Sequence, residues 1–419
     1  QGIMALRLLI VAIFLSHCQS FLLSSSQRKH QQQLQKYLDD TRLFNVVVAA
    51  EDGQERKFMF MTEEQDRLLK EKGDYEQSLM RKPVPLKPVK VRGGAGGFGG
   101  GSGSNKKTTK TTSSEDTALA VSSYAKALAT DGLVRIDNVL SPQLADQLRD
   151  YLCDLRARST AAIEKGDVLD SQERFADVLL NQNRCDLKIP LGPKPVNEAL
   201  FDLLAKDTSI VRQVMEYVFE SFDGVGKDAE LWELNCFMSN SGARRQLVHA
   251  DNVCLEPIIG LKSEKEPIVL TCFVALQDID ESMGPTVWMP GTHTLDAHNR
   301  FFETGKDPSS TRTDTYSPKD EILQSSKSVL GTIPKGACVI FDPRVLHCAG
   351  GNTHPDPTHT RALFYVSFKN PKIDNPGCPS TSGYGVATAE ITMDELTQDL
   401  RAEQEGRPTK RMQLISCFP

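Results

Sequence analysis

The chain changes its hydrophobic rhythm near residue 230. Before that point apolar residues recur at helical spacing. Residues 117–129 are alanine-rich and are followed by Asp131-Gly132. Ser141-Pro142 then opens a stretch in which Leu144, Leu148, Leu152 and Leu155 fall on one side. Residues three and four apart share a helix face, so both segments predict helices. Serine caps such a helix, and proline at its first position gives up no hydrogen bond. Two more helices are expected near 197–205 and 210–219. After Glu230 short apolar runs alternate with turns, at 231–238, 268–276, 286–289, 337–342 and 362–368. Short runs bounded by turns predict strands. The expected fold is therefore mostly β with flanking helices (α+β): a jelly-roll, cupin-like barrel behind a helical segment.

The N-terminal region reads differently. Met4 is the expected start, Arg7 gives a positive charge, and residues 8–15 are wholly apolar. Cys18 and Ser20 are small residues at the −3 and −1 positions of a cleavage site, so 1–20 is read as a signal peptide. Residues 21–42 begin with Phe21 and are rich in serine and base, with no acid before Asp39. That composition resembles the plastid part of a bipartite leader; the alternative is secretion or retention in the endoplasmic reticulum. No Asn-x-Ser/Thr sequon occurs, which favours the plastid. Residues 43–80 form a small extension, with a hairpin turning at Asp52-Gly53 and a charged helix over 63–72. Residues 81–114, rich in Pro, Lys, Gly and Ser, are expected to be a flexible linker. Gly94, Gly96 and Gly99 match a dinucleotide-binding spacing, but no strand precedes them and no helix-forming sequence follows, so they are linker glycines. The main domain is placed at 115–419.

Composition narrows the function. The chain has 419 residues and a net charge of −6, without the basic excess of a nucleic-acid binder. It has ten cysteines and no Cys-x-x-Cys pair, which argues against a zinc ribbon or a thioredoxin-like site. Cys236, Cys272 and Cys338 lie in apolar runs and read as reduced core residues. No stretch after the leader is long and apolar enough to span a bilayer.

Six histidines lie beyond the leader: His249, His293, His298, His347, His354 and His359. His249 and Asp251 follow a strand. If they are themselves extended they point to one side, since residues two apart share a face. One imidazole nitrogen and one carboxylate oxygen suit Fe(II), and a second histidine would complete a facial triad with open positions for a 2-oxo acid and O2. His347, at the end of a strand and turn, is the best third ligand, and His359 is the fallback. Arg361 opens the next apolar run. On a strand adjacent to His347 its planar guanidinium would suit the far carboxylate of 2-oxoglutarate. His293 reads as structural. Trp288 reads equally as pocket lining or core. No His-Glu-x-x-His is present, which disfavours a zinc hydrolase.

With these residues in view, the chain over roughly 132–371 resembles the phytanoyl-CoA dioxygenase family. The resemblance rests on Asp131-Gly-Leu-Val-Arg, Arg184-Cys-Asp-Leu-Lys-Ile-Pro-Leu, Gln246-x-x-His249-x-Asp251, Met283-Gly-Pro-Thr-Val-Trp-Met-Pro-Gly-Thr-His293 and Phe341-Asp-Pro-Arg-Val-Leu-His347. It implies a double-stranded β-helix, an iron held by His249, Asp251 and His347, and 2-oxoglutarate anchored by Arg361. It places Phe273 and Gln246 near the co-substrate. Ala349 departs from the family, standing where a hydroxyl residue often helps to hold the co-substrate, and the 347–361 interval is longer than usual. The implied reaction is hydroxylation of a small-molecule or lipid-derived substrate, with release of succinate and CO2. Related halogenases replace the carboxylate ligand, so Asp251 favours hydroxylation. The competing readings are a catalytically silent barrel and a cupin-type metalloenzyme that does not use 2-oxoglutarate. Neither substrate nor oligomeric state is legible.

Overall fold

The computed structural model describes residues 44–49, 55–60, 63–90, 114–168, 170–176, 183–221, 224–254, 263, 266–302, 317–373, 391–407 and 409. The expected leader (1–42) and the glycine-rich part of the expected linker lie outside them. β1 (Phe44–Ala49) and β2 (Glu55–Phe60) pair antiparallel, from Phe44 opposite Phe60, as the Asp52-Gly53 signal predicts.

Two sheets organise the rest. The larger is ordered β4-β10-β7-β12-β6-β5, comprising β4 (Leu133–Ile136), β5 (Arg184–Lys188), β6 (Glu230–Asn240), β7 (Val269–Ala275), β10 (Cys338–Phe341) and β12 (Thr360–Lys369). The smaller is ordered β11-β8-β9-β3, comprising β3 (Val84–Pro85), β8 (Thr286–Trp288), β9 (Val329–Leu330) and β11 (His347–Ala349). Alternate residues of the large sheet divide between two cores, as the period-2 geometry of strands requires. Cys236, Met238, Phe364 and Val366 face a helical layer built from α2 (Ser114–Asp131), α3 (Pro142–Lys165), α4 (Lys194–Leu200), α5 (Ile210–Ser221) and α8 (Met393–Gln404). Phe237, Phe273, Phe341 and Leu363 face inward, toward Trp288 of the small sheet. The space between the sheets is the barrel interior. The outer face of the small sheet packs on α6 (Leu295–Phe302) and α7 (Pro318–Ser325).

Local chemistry sets the helix ends. Ser141 Oγ accepts the Leu144 amide hydrogen, and Gly166 closes α3 at φ 81°. Gly132 turns the chain from α2 into β4 at φ 75°, where an added Cβ would lie 2.3 Å from Val345. Three expectations change. The charged helix extends beyond 72, as α1 (Glu63–Leu79). The proline-spaced run expected as linker pairs instead: Val84 and Pro85 run parallel to β9, and Leu86 is buried. Proline is tolerated there because β3 is an edge strand, where one missing N–H breaks no ladder. The helix expected over 197–205 continues past α4 only as a π turn, at Phe201–Ala205. The seven cysteines among the described residues form no disulfide with one another. No helix of the described residues is long and apolar enough to cross a membrane.

Candidate metal centre

His249 and Asp251 lie on an extended segment that follows a strand, β6. The segment makes a single β-bridge, His249 to His347, through reciprocal backbone bonds of 2.9 and 2.8 Å. That bridge brings the two imidazoles together, with ring centroids 4.5 Å apart. The Asp251 amide donates to Pro343 O at 2.9 Å, which ties the carboxylate-bearing residue to the turn before β11. Each imidazole Nδ1–H donates to the carbonyl two residues earlier, His249 to Leu247 and His347 to Val345, both at 2.8 Å. Both Nε2 atoms are thereby left as acceptors facing Asp251, at 3.5 Å from Oδ1 and 3.4 Å from Oδ2. Fixing the tautomer in this way is what a metal-ligating histidine requires. Ligand bonds of ~2.1 Å leave neighbouring donors about 3 Å apart, so these distances suit one shared ion.

In the absence of a metal ion, the carboxylate and the His249 imidazole each favour the other's charged form. Desolvation would raise the Asp251 carboxyl, but the His347 and His249 imidazoles outweigh it and hold it well below the usual carboxylate range. Desolvation would lower His249, yet its contact with Asp251 raises it. The Asp251 side chain is 41 % exposed, while that of His347 is 6 % exposed. Of the three candidate ligands, the charged one is thus the most exposed to solvent.

Arg361 is fully buried on β12, which pairs with β6 and β7 and not with β11. The adjacent-strand expectation is therefore corrected: Arg361 belongs to the large sheet and His347 to the small one. One Nη donates to the carbonyl of Gly284, whose φ of 63° and tight seat against Gly350 leave no room for a Cβ. Arg361 Nε and Nη2 are buried without a partner, as are Arg184 Nε and Ser239 Oγ. In register, Ser239 stands opposite Arg361 on one side and Arg184 on the other. Both guanidinium carbons lie by the Phe237 ring, at 5.7 and 5.9 Å. Neither guanidinium meets a carboxylate among the described residues. Burial pushes Arg184 down to about 10; burial and the charge of Arg184 push Arg361 down to about 9. An unpaired buried charge costs on the order of several kcal/mol. A row of buried donors with two cations fits a bound carboxylate.

The other expected residues are placed as follows. Phe273 lies inside the barrel, edge-on to Phe341 and Tyr365, and Phe341 is edge-on to His347. Gln246 clamps the backbone: its Oε1 accepts from Ala349 N at 2.9 Å, and its own amide donates to Ala349 O. His359 stacks on His354 at 4.0 Å and is not in the cluster of His249, Asp251 and His347. His298 is structural, accepting from Cys254 N and donating to Arg344 O; burial pushes it down to about 4. Sequence reasoning assigned no role to Arg184 or Ser239. The available signal was a charged residue alternating through Arg184-Cys-Asp-Leu-Lys188, which marks a strand with a polar inner face.

The family model for phytanoyl-CoA dioxygenase matches residues 128–360. Among solved structures, the chain is similar to the non-haem α-ketoglutarate-dependent epimerase SnoN from nogalamycin biosynthesis, at 16 % identity and a TM-score of 0.38 over 60 % of this chain and 84 % of that one. It is similar to AviO1 from Streptomyces viridochromogenes Tue57, at 15 % identity and a TM-score of 0.38 over 60 % and 95 %. It is also similar to HygX from Streptomyces hygroscopicus with nickel and 2-oxoglutarate bound, at 13 % identity and a TM-score of 0.38 over 59 % and 85 %. No curated protein sequence matches the chain. With more than half of its length matched by the family model, the chain belongs to the phytanoyl-CoA dioxygenase family.

Proposed function

We propose that this protein is an Fe(II)- and 2-oxoglutarate-dependent dioxygenase that hydroxylates a C–H bond of a small-molecule or lipid-derived substrate. One observation carries the reading. Three donors of the right kinds converge at one point, His249, Asp251 and His347, in a barrel that also holds two buried guanidiniums with nitrogens left unbonded. Two neutral nitrogens and one anionic oxygen suit Fe(II) and leave three positions for co-substrate and oxygen. When bound, iron and 2-oxoglutarate supply the oxidative decarboxylation that activates O2 for C–H hydroxylation.

The protein's part is to bind and orient. His249 and His347 present Nε2 because Leu247 and Val345 hold their Nδ1 protons. Asp251 supplies the negative charge, and its presence favours hydroxyl over halide transfer. Arg361 receives the far carboxylate of 2-oxoglutarate, with Arg184 and Ser239 alongside. Phe273, Phe341 and Trp288 line the interior with apolar surface that keeps water from the reacting centre.

The test is spectroscopic. The protein, purified without oxygen, is loaded with Fe(II) and then given 2-oxoglutarate. A weak visible metal-to-ligand band is expected, absent in His249→Ala and diminished in Arg361→Ala. Bound iron with no band in the folded wild type overturns the proposal in favour of a metalloenzyme that does not use 2-oxoglutarate.

A further inference from the structure

The segment that carries His249 and Asp251 is held on one side by backbone bonds from Gln246, His249, Asp251 and Asn252 to Ala349, His347 and Pro343. It belongs to no ladder beyond the single bridge to His347. Part of what holds it comes from a helix that precedes the family-matched region by nearly fifty residues. Glu76, in the last turns of α1, is 2 % exposed. Its Oε2 accepts the Val248 amide hydrogen at 2.8 Å, and its Oε1 accepts from Lys319 Nζ at 2.7 Å. Val248 is itself fully buried and immediately precedes His249. Two more contacts reach the same stretch: Gly73 faces Leu247, where a Cβ would lie 3.8 Å from its side chain, and Arg245 donates to Met80 Sδ at 2.9 Å.

The arrangement has a simple physical sense. Successive amides of an extended segment point to opposite sides. The His249 amide points to His347, so the Val248 amide points away, toward α1. There the Glu76 carboxylate takes the acceptor position that a neighbouring strand would supply. A charge-assisted bond from an amide to a carboxylate is shorter and stronger than one between neutral groups. Lys319, over the Phe301 ring at 4.6 Å, balances the buried charge. Glu76 thus fixes the backbone on one side of His249 while the bridge fixes it on the other.

We propose that Glu76 is a positioning residue of the metal centre, so that α1, outside the family-matched region, helps to hold His249 and Asp251 in their ligating geometry. The inference rests on the reading of His249, Asp251 and His347 as metal ligands.

The experiment titrates the full-length protein with Fe(II) alone, without oxygen, and compares wild type with Glu76→Gln, Glu76→Asp and Lys319→Met. Glutamine keeps the length and an acceptor oxygen; aspartate keeps the charge but is one methylene too short. Glu76→Gln and Lys319→Met are expected to bind Fe(II) within about threefold of wild type. Glu76→Asp is expected to bind about 10- to 100-fold more weakly, the usual effect of losing a partner that orients a ligand. Melting temperatures of the metal-free proteins separate this from general damage: Glu76→Asp and Lys319→Met both disturb the ion pair, but only the first should lose metal. Wild-type affinity in folded Glu76→Asp overturns the inference. So does an equal loss in Lys319→Met, which would place the effect in the ion pair and not in the amide bond. A wild type that binds no Fe(II) overturns the metal-centre reading itself, whatever the variants do.

Discussion

At the scale of single residues, the site separates two tasks by charge type. Asp251 and the two imidazoles converge on a point that would suit one cation, whereas Arg361, Arg184 and Ser239 leave buried donor atoms that would suit an anion. The pairing within each set decides what substitutions do. Arg361→Lys keeps the charge but loses the planar fork that can hold a carboxylate through two parallel bonds. Hydrogen bonds to charged groups contribute about 1.5–3 kcal/mol. The variant should therefore bind 2-oxoglutarate roughly 10- to 150-fold more weakly, while its Fe(II) affinity stays unchanged. Calorimetric titration of the metal-loaded protein reads this directly, and an unaltered 2-oxoglutarate affinity would place the co-substrate elsewhere. Arg184→Gln adds a second handle. It should reduce the preference for 2-oxoglutarate over 2-oxobutyrate, which lacks the far carboxylate, as competitive binding would show. A variant that weakens both acids equally would assign Arg184 to packing.

At the scale of elements, the inner face of the large sheet is unusually polar away from the metal. Tyr365 Oη donates to Asp186 Oδ2 at 2.7 Å, and Asn235 donates to Tyr365 Oη at 3.1 Å. Further along, Ser367 Oγ donates to Glu233 Oε2 at 2.7 Å. Desolvation, together with the nearby Asp186 and Asp251 charges, pushes Glu233 up to about 8, against an ordinary value of 4.5. Between those two values the unfolded chain has released the proton and the folded chain retains it, so stability falls as pH rises through that window. Glu233→Gln has no proton to release. It should gain melting temperature relative to wild type between pH 5 and pH 8.5, and parallel pH profiles would refute the assignment. This polar face also explains what the sequence hid. β5 went unread as a strand because only Cys185 and Leu187 of its five residues are apolar, so it forms no continuous apolar run. β3 and β9 have two residues each, too few for any periodicity. By contrast, the long runs of β6, β7 and β12 were legible, because their outer faces bury Leu234, Val274 and Phe364 against helices. The histidines and Asp251 were legible from residue type and spacing. The sheet membership of Arg361 was not, since strand pairing is a tertiary property.

At the scale of the whole molecule, the barrel is covered on both outer faces, and the N-terminal extension supplies part of one cover. α2 to α5 and α8 shield the large sheet. The small sheet is shielded by α6 and α7, and Leu79 and Met80, at and just past the end of α1, pack into the same cluster. β3 then closes the edge of that sheet through Val84 and Pro85. Arg135 Nη1 donates to Leu86 O at 2.9 Å, and Leu86 itself packs into the inner core. A protein begun at Glu115 would lack these contacts, leave the β9 edge unpaired and expose part of the outer face of the small sheet. Burying a leucine contributes about 1.5–3 kcal/mol, and each kcal/mol moves the melting temperature of a domain this size by about 2–4 °C. A protein beginning at Glu115 should therefore melt roughly 5–10 °C below one beginning at Glu63. The same comparison tests where the folded domain begins. Equal melting temperatures would confine it to residues after 114, whereas the expected drop would move its boundary to α1.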